Sequence, residues 1–238
     1  MSKPFEFKQF TIHQDKCAMK VGTDGVLLGA WATISKSAFS CLDIGAGTGL
    51  LSLMIAQRSA IEVIDAIEID DNAYEQCVQN FENSKWNDRL FCYHASFDEF
   101  VDEIEDKYDL IISNPPFYRE EISSGDKGRD QARQSASLPF EVLIKGVSHL
   151  LSESGCFQLI IPYKEEDNFI KIAHQKELFL QRITRVRGTT DSDIKRSLLE
   201  FSRVKANHIE KQILTIEKGR HNYTNEYINA TKDFYLKM

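Results

Sequence analysis

Asn114-Pro115-Pro116-Phe117 closes the apolar run of residues 108–113, and a central strand cannot continue through two prolines. A side-chain amide oxygen followed by a carbonyl held between two rigid rings forms a pair of fixed hydrogen-bond acceptors. Aimed at the two N–H bonds of a planar amine, such a pair draws the nitrogen toward a nucleophilic geometry. Without that help, conjugation with the ring ties up its lone pair. Phe117 adds a flat face for stacking an extruded base. The plainer alternative is a strand exit and a turn, with Phe117 in the core.

A second cluster lies upstream. Gly45, Gly47 and Gly49, with Ala46 between the first two, fall between an apolar run and a helical one in "LDIGAGTGLL". Glycines there let the chain turn sharply and let a ligand approach bare backbone at a helix N-terminus. Helix–strand packing alone can also demand such a turn. A dinucleotide fingerprint would need glycine at Leu50. What stands instead is Asp-x-Gly-x-Gly-x-Gly, beginning at Asp43.

That pattern resembles the first motif of class I S-adenosylmethionine-dependent methyltransferases. The resemblance implies a loop around the cofactor's methionine and ribose portions, with no phosphate to cradle. It also implies an acidic residue after the second strand, accepting from both ribose hydroxyls. Glu68, followed by Ile69, stands at that point, and Asp70 and Asp71 suit a helix cap better. Beyond the third strand, Ser96 and Phe97 occupy the place from which such enzymes address adenine, where an acidic residue is usual. Either residue can instead start the following helix. The Asn114 tetrapeptide then resembles the motif of amino-methyltransferases acting on adenine N6, cytosine N4, guanine N2 or a glutamine amide. No Pro-Cys pair exists for covalent chemistry at cytosine C5.

Lys20-Val21-Gly22-Thr23-Asp24-Gly25, with Leu27-Leu28 after it, narrows the resemblance to bacterial tRNA1(Val) (adenine(37)-N6)-methyltransferases. It extends through "LDIGAGTGLLSLMIAQR" and "IISNPPFY" to "YTNEYINATKDFYLKM". By this resemblance the substrate is the anticodon arm of a valine tRNA, and Lys20, Gly22, Thr23 and Asp24 close over the methionine end. Read locally, Thr23 or Asp24 is equally a helix cap. A guanine N2 or glutamine enzyme is the alternative, and a cofactor-binding module without turnover is the alternative of another class.

The elements needed to position these residues follow from periodicity. From about residue 38, strand-like runs alternate with helical ones, which implies one Rossmann-like α/β domain over residues 1–238. The expected sheet is seven-stranded and mostly parallel, with helices on both faces. An antiparallel C-terminal pair is expected from "SLLEFSR" and "KQILTIEK". Leu143, Val147, Leu150 and Leu151 continue one helical face toward a stop at Gly155. Residues 1–35 are expected to cover the cofactor.

The net charge of −7 conceals an asymmetry: residues 1–170 carry −13, and residues 171–220 carry +6. The basic part is expected to touch RNA phosphate through Arg185, Arg187, Lys195 and Arg196, unless it is only a solvated face. Tyr118, Arg119, Arg129 and Arg133 follow the proline motif as a candidate clamp, interleaved with acids in a loop of balanced charge. Five cysteines without a Cys-x-x-Cys pair argue against zinc and against a disulfide framework, so no metal is expected. No apolar run is long enough for a membrane span, and "MSKPFEFKQF" lacks a signal-peptide core, so the expected location is cytoplasmic.

Overall fold

The structure is a computed structural model that describes residues 3–116 and 138–238. Two short strands, β1 (Phe5–Glu6) and β2 (Thr11–Ile12), precede α1 (Thr23–Trp31). Alternation then begins: β3 (Ser40–Ile44), α2 (Leu50–Arg58), β4 (Val63–Glu68), α3 (Asp71–Glu82), β5 (Leu90–His94), α4 (Phe97–Glu103) and β6 (Tyr108–Ser113). After the undescribed segment come α5 (Phe140–Leu150), β7 (Leu151–Pro162), a 3-10 turn at Tyr163–Glu165, α6 (Glu166–Gln175), β8 (Phe179–Arg187) and β9 (Ile194–Ser202). The chain closes with β10 (Glu210–Thr215), β11 (Glu217–Gly219), β12 (Asn222–Tyr223) and α7 (Asn225–Thr231).

The main sheet runs β10-β8-β9-β7-β6-β3-β4-β5. Its strands from β7 through β6, β3 and β4 to β5 are parallel, while β9 is antiparallel to both β7 and β8. Every residue of β3 is buried because both faces are covered. On one face Cys41, Ile64, Leu110 and Ile112 meet α1, α2 and the chain's two ends. On the other, Leu42, Ile44, Ile111 and Phe157 meet α4, α5 and α6. Strand order reverses between β3 and β6, and such a point opens a crevice at the C-terminal strand ends.

Four expectations are corrected. The helix opening at Phe140 stops at Leu150, and Gly155 lies inside β7 rather than ending a helix. Arg203 donates to the Ser148 and Leu151 carbonyls at that helix end, so no glycine is needed there. A Cβ at Gly155 would lie 2.9 Å from the Tyr108 carbonyl, beside a register shift between Tyr108 and Leu110. Among the described residues the sheet has eight strands, not seven. The strand containing "SLLEFSR" pairs antiparallel with β7 and β8, whereas β10 lies parallel to β8. Finally, Gly22 is the cap of α1 with no side-chain cap bond, and Thr23 and Asp24 sit within the first turn.

Candidate active site

The ends of β3 and β6 meet at the crevice through one bond. Ser113, fully buried, donates its hydroxyl to the Ile44 carbonyl at 2.8 Å. This ties the residue before Asn114 to the residue before the glycine loop. Asn114 is half-buried and Pro115 buried. Asn114 Nδ2 lies 3.8 Å from where a Cβ would stand on Gly25, so the amide sits against the start of α1.

In the loop, Gly45 and Ala46 donate backbone N–H groups to the Ile67 carbonyl at 3.0 Å. Gly47 and Gly49 have φ of 56° and 77°, in the left-handed region. A Cβ on Gly47 would meet nothing within 4 Å, whereas one on Gly49 would strike the Phe81 ring at 2.5 Å. One side of the loop is therefore open and the other is packed. Asp43 is fully buried below it. Its Oδ2 accepts from Ser52 N at 3.1 Å and Ser52 Oγ at 2.8 Å, while Oδ1 has no partner among the described residues. Burial pushes its carboxyl up to about 7, against the opposing Ser52 bonds and with a further push from the Glu68 charge.

Glu68 ends β4 and spans the gap to the loop. Its Oε2 accepts from Gly47 N at 2.8 Å, and its Oε1 accepts from Ile69 N and Asp70 N at 2.9 Å. The Ile69 side chain, 51% exposed, stands uncovered beside it. Asp70 caps α3 by accepting from Ala73 N at 2.9 Å. Ser96 caps α4 in a reciprocal box with Glu99, and the buried Phe97 ring packs against Gly146.

The N-terminal arm crosses α3 to reach this loop. Asn80 Oδ1 accepts from His13 N at 2.8 Å, and its Nδ2 donates to the His13 and Thr48 carbonyls at 2.9 Å. Gln76 Oε1 accepts from Lys16 N at 3.0 Å. The buried Cys17 thiol is pushed up to about 12, first by burial and then by the Glu68 and Asp70 charges. Lys20, Gly22 and Thr23 are exposed. Sequence reasoning missed Asn80 and Gln76; the available signal was two amides on the helix face shared with Ala73, Cys77 and Phe81.

Of the basic residues, Arg196 donates Nε to Asp24 at 2.7 Å, and Arg185 makes a two-nitrogen clasp on Glu166. Arg187 donates to Thr215 Oγ1 and the Thr190 carbonyl. Lys195 is exposed, and among the described residues its carboxylate neighbour is Asp193 at 4.0 Å. Phe117, Tyr118, Arg119, Arg129 and Arg133 lie outside the described residues. Among the described residues, no cluster of three His, Cys, Asp or Glu side chains could hold a metal, and no helix is long and apolar enough to cross a membrane.

Residues 25–138 match the family described as methyltransferase small domain. The chain is 59% identical to a tRNA1(Val) (adenine(37)-N6)-methyltransferase of Christiangramia forsetii, covering 100% of this chain and 99% of that one. It is 60% identical to the protein of that name in Flavobacterium psychrophilum, over 98% and 100% of the two chains. Among solved structures, a predicted O-methyltransferase from Agrobacterium tumefaciens superposes with a TM-score of 0.69 at 18% identity. That superposition covers 89% of this chain and 96% of the other, a likeness of fold alone.

Proposed function

The chain belongs to the tRNA1(Val) (adenine(37)-N6)-methyltransferase family, and from that membership we propose that it methylates N6 of adenine 37 in a valine tRNA, with S-adenosylmethionine as donor. The observation that carries this reading is the 59% identity to a relative of that name over 100% of this chain. A tRNA substrate makes the cytoplasm its place of action.

The residues present fit the cofactor. The open side of Gly45 and Gly47 leaves room for a ligand against bare backbone, and a Cβ at either position would project into that space. Glu68 stands at the loop's edge to receive ribose hydroxyls, and the uncovered Ile69 offers an apolar face to adenine. Gly49 shapes the turn, and Ser96 or the Phe97 backbone meets the far side of the base. Lys20, Gly22, Thr23 and Asp24 close the methionine end, with Asp43 buried beneath the loop. The bound sulfonium supplies an already activated methyl group, so the protein needs no metal and no covalent nucleophile.

What remains for the chain is to prepare the nitrogen. Asn114 Oδ1 and the Pro115 carbonyl each accept one N–H of the adenine amine, freeing its lone pair toward the donor. The Ser113–Ile44 bond and the ring of Pro116 hold those acceptors in place beforehand, so no reorganisation is required during transfer. Phe117 stacks the extruded base, and Tyr118, Arg119, Arg129, Arg133, Arg185, Arg187, Lys195 and Arg196 serve the RNA around it.

The test is direct. Unmodified tRNA and labelled cofactor are incubated with the protein, the RNA is digested, and the labelled nucleoside is identified by mass. N6-methyladenosine mapping to position 37 is expected. Label in N2-methylguanosine, or only in protein, would defeat the reading.

A further inference from the structure

We propose that Tyr163 is a stacking platform for the nucleotide adjacent to the target adenosine; this rests on the reading of the substrate as tRNA. Tyr163 directly follows Pro162, the last residue of β7. That strand lies parallel to β6, with Leu159 opposite Ser113. Tyr163 therefore stands just past the C-terminal end of the strand beside β6, at the sheet edge where Asn114 leaves β6. Both strands deliver their ends to the same edge, so the tyrosine flanks the proline motif without belonging to it.

Its surroundings are built. The residue is 40% exposed although it directly follows a core strand. The Arg185 guanidinium lies over its ring, 5.5 Å from the centroid. That cation is not free to wander: Nη2 reaches Glu166 Oε1 at 2.6 Å, and Nε reaches Oε2 at 3.1 Å. Glu166 is 3% exposed and also accepts the Ser197 hydroxyl at 2.5 Å. A buried carboxylate thus fixes a guanidinium beside an exposed aromatic ring. Arg185 keeps Nη1 without a partner among the described residues.

An aromatic face beside an oriented cation suits one ligand chemistry, a nucleobase joined to a phosphate. The base stacks on the ring, a contact open to any base because each has a π-face. The phosphate takes the remaining guanidinium N–H bonds. Asn114 and Pro115 are assigned to the target base itself, so the ring at the end of the adjacent strand takes its neighbour.

The experiment compares wild type, Tyr163→Leu and Tyr163→Phe in steady-state methylation of tRNA at saturating cofactor. Direct binding of a fluorescent anticodon-arm RNA is measured alongside. Tyr163→Leu is expected to raise KM for tRNA and the RNA dissociation constant about tenfold, the size of one lost base stack. Its kcat stays within about threefold, and cofactor affinity by calorimetry is unchanged. Tyr163→Phe keeps both constants within about twofold of wild type. A Tyr163→Leu enzyme with wild-type KM and RNA affinity overturns the platform, as does a Tyr163→Phe enzyme equally impaired. Wild type that binds RNA in a Tyr163-dependent way yet leaves N6 unmethylated overturns the proposed reaction alone. Wild type that binds no tRNA overturns both.

Discussion

Arg196 on β9 donates its Nε–H to Asp24 in the first turn of α1 at 2.7 Å, across 172 residues of chain. The two carry different assignments, Asp24 to the cofactor's methionine end and Arg196 to RNA, yet they form one pair. Both side chains are about one-third exposed, so their coupling should be worth no more than about 1 kcal/mol. Arg196→Ala is therefore expected to weaken cofactor binding about two- to fivefold by releasing Asp24. The double variant with Asp24→Ala should bind the cofactor no worse than Asp24→Ala alone. Additive losses in calorimetry would mean that the pair does not act on the cofactor site.

Asn114 is placed at the meeting of β3 and β6 by Ser113, and its assigned work is done only as the methyl group moves. Asn114→Ala should lower kcat by about 10²–10³, the usual cost of one preorganised polar contact to the reacting group. Cofactor affinity should stay within about twofold. Collapse of cofactor binding with turnover surviving at saturation would reassign the residue to cofactor binding.

Gly47 and Gly49 share a left-handed backbone but not their surroundings, and alanine at each should fail differently. Gly47→Ala adds a methyl group on the open side. Thermal unfolding should register only the backbone cost, about 1–2 kcal/mol, while cofactor affinity is largely lost. Gly49→Ala drives its methyl group into Phe81 and Cys77, adding overpacking to the same strain. A loss of about 2–4 kcal/mol is expected there. Equal destabilisation by the two substitutions would contradict the open and packed faces of the loop.

The site's frame was legible because each part ends a strand with a residue type that a strand cannot use internally. Asp43 through Gly49, Glu68 and Asn114-Pro115-Pro116 all announce strand ends, and parallel pairing brings those ends to one edge. β8 escaped notice because Gln181 is an extra residue between the register pairs Leu180–Phe201 and Arg182–Glu200, which breaks the period-two alternation. The start of β7 was hidden because Leu151 extends the helical spacing of Leu143, Val147 and Leu150. The bonds from Arg203 that mark the real helix end come from about fifty residues away. Asn80 and Gln76 bind backbone of the N-terminal arm, at separations of 60 residues or more, and no local pattern encodes such a partner. Likewise the charge surplus of residues 171–220 did not distinguish exposed Lys195 from Arg185 and Arg196, each of which is half-buried and paired with a carboxylate from another element.

Asp43 gives the fold a pH dependence of unusual sign for a carboxylate. Its folded-state value of about 7 lies above its ordinary 3.8, chiefly through burial, with the nearby Glu68 charge adding to the rise. Between those values the folded protein keeps a proton that the unfolded chain has released. Stability contributed at this position is therefore full below about pH 4 and falls as pH rises toward 7, by at most about 1.4 kcal/mol per unit for one proton. Above about pH 8 the contribution is level. Asp43→Asn removes the titration while keeping a side-chain oxygen for the Ser52 N–H and hydroxyl. Urea unfolding of both proteins at intervals from pH 5 to 8.5 isolates the effect, since other titrating groups are common to both. The stability of wild type relative to the variant should decline from pH 5 to 7 and then hold constant. A difference independent of pH would mean that Asp43 is ionised within the fold throughout, its charge satisfied by the loop above it.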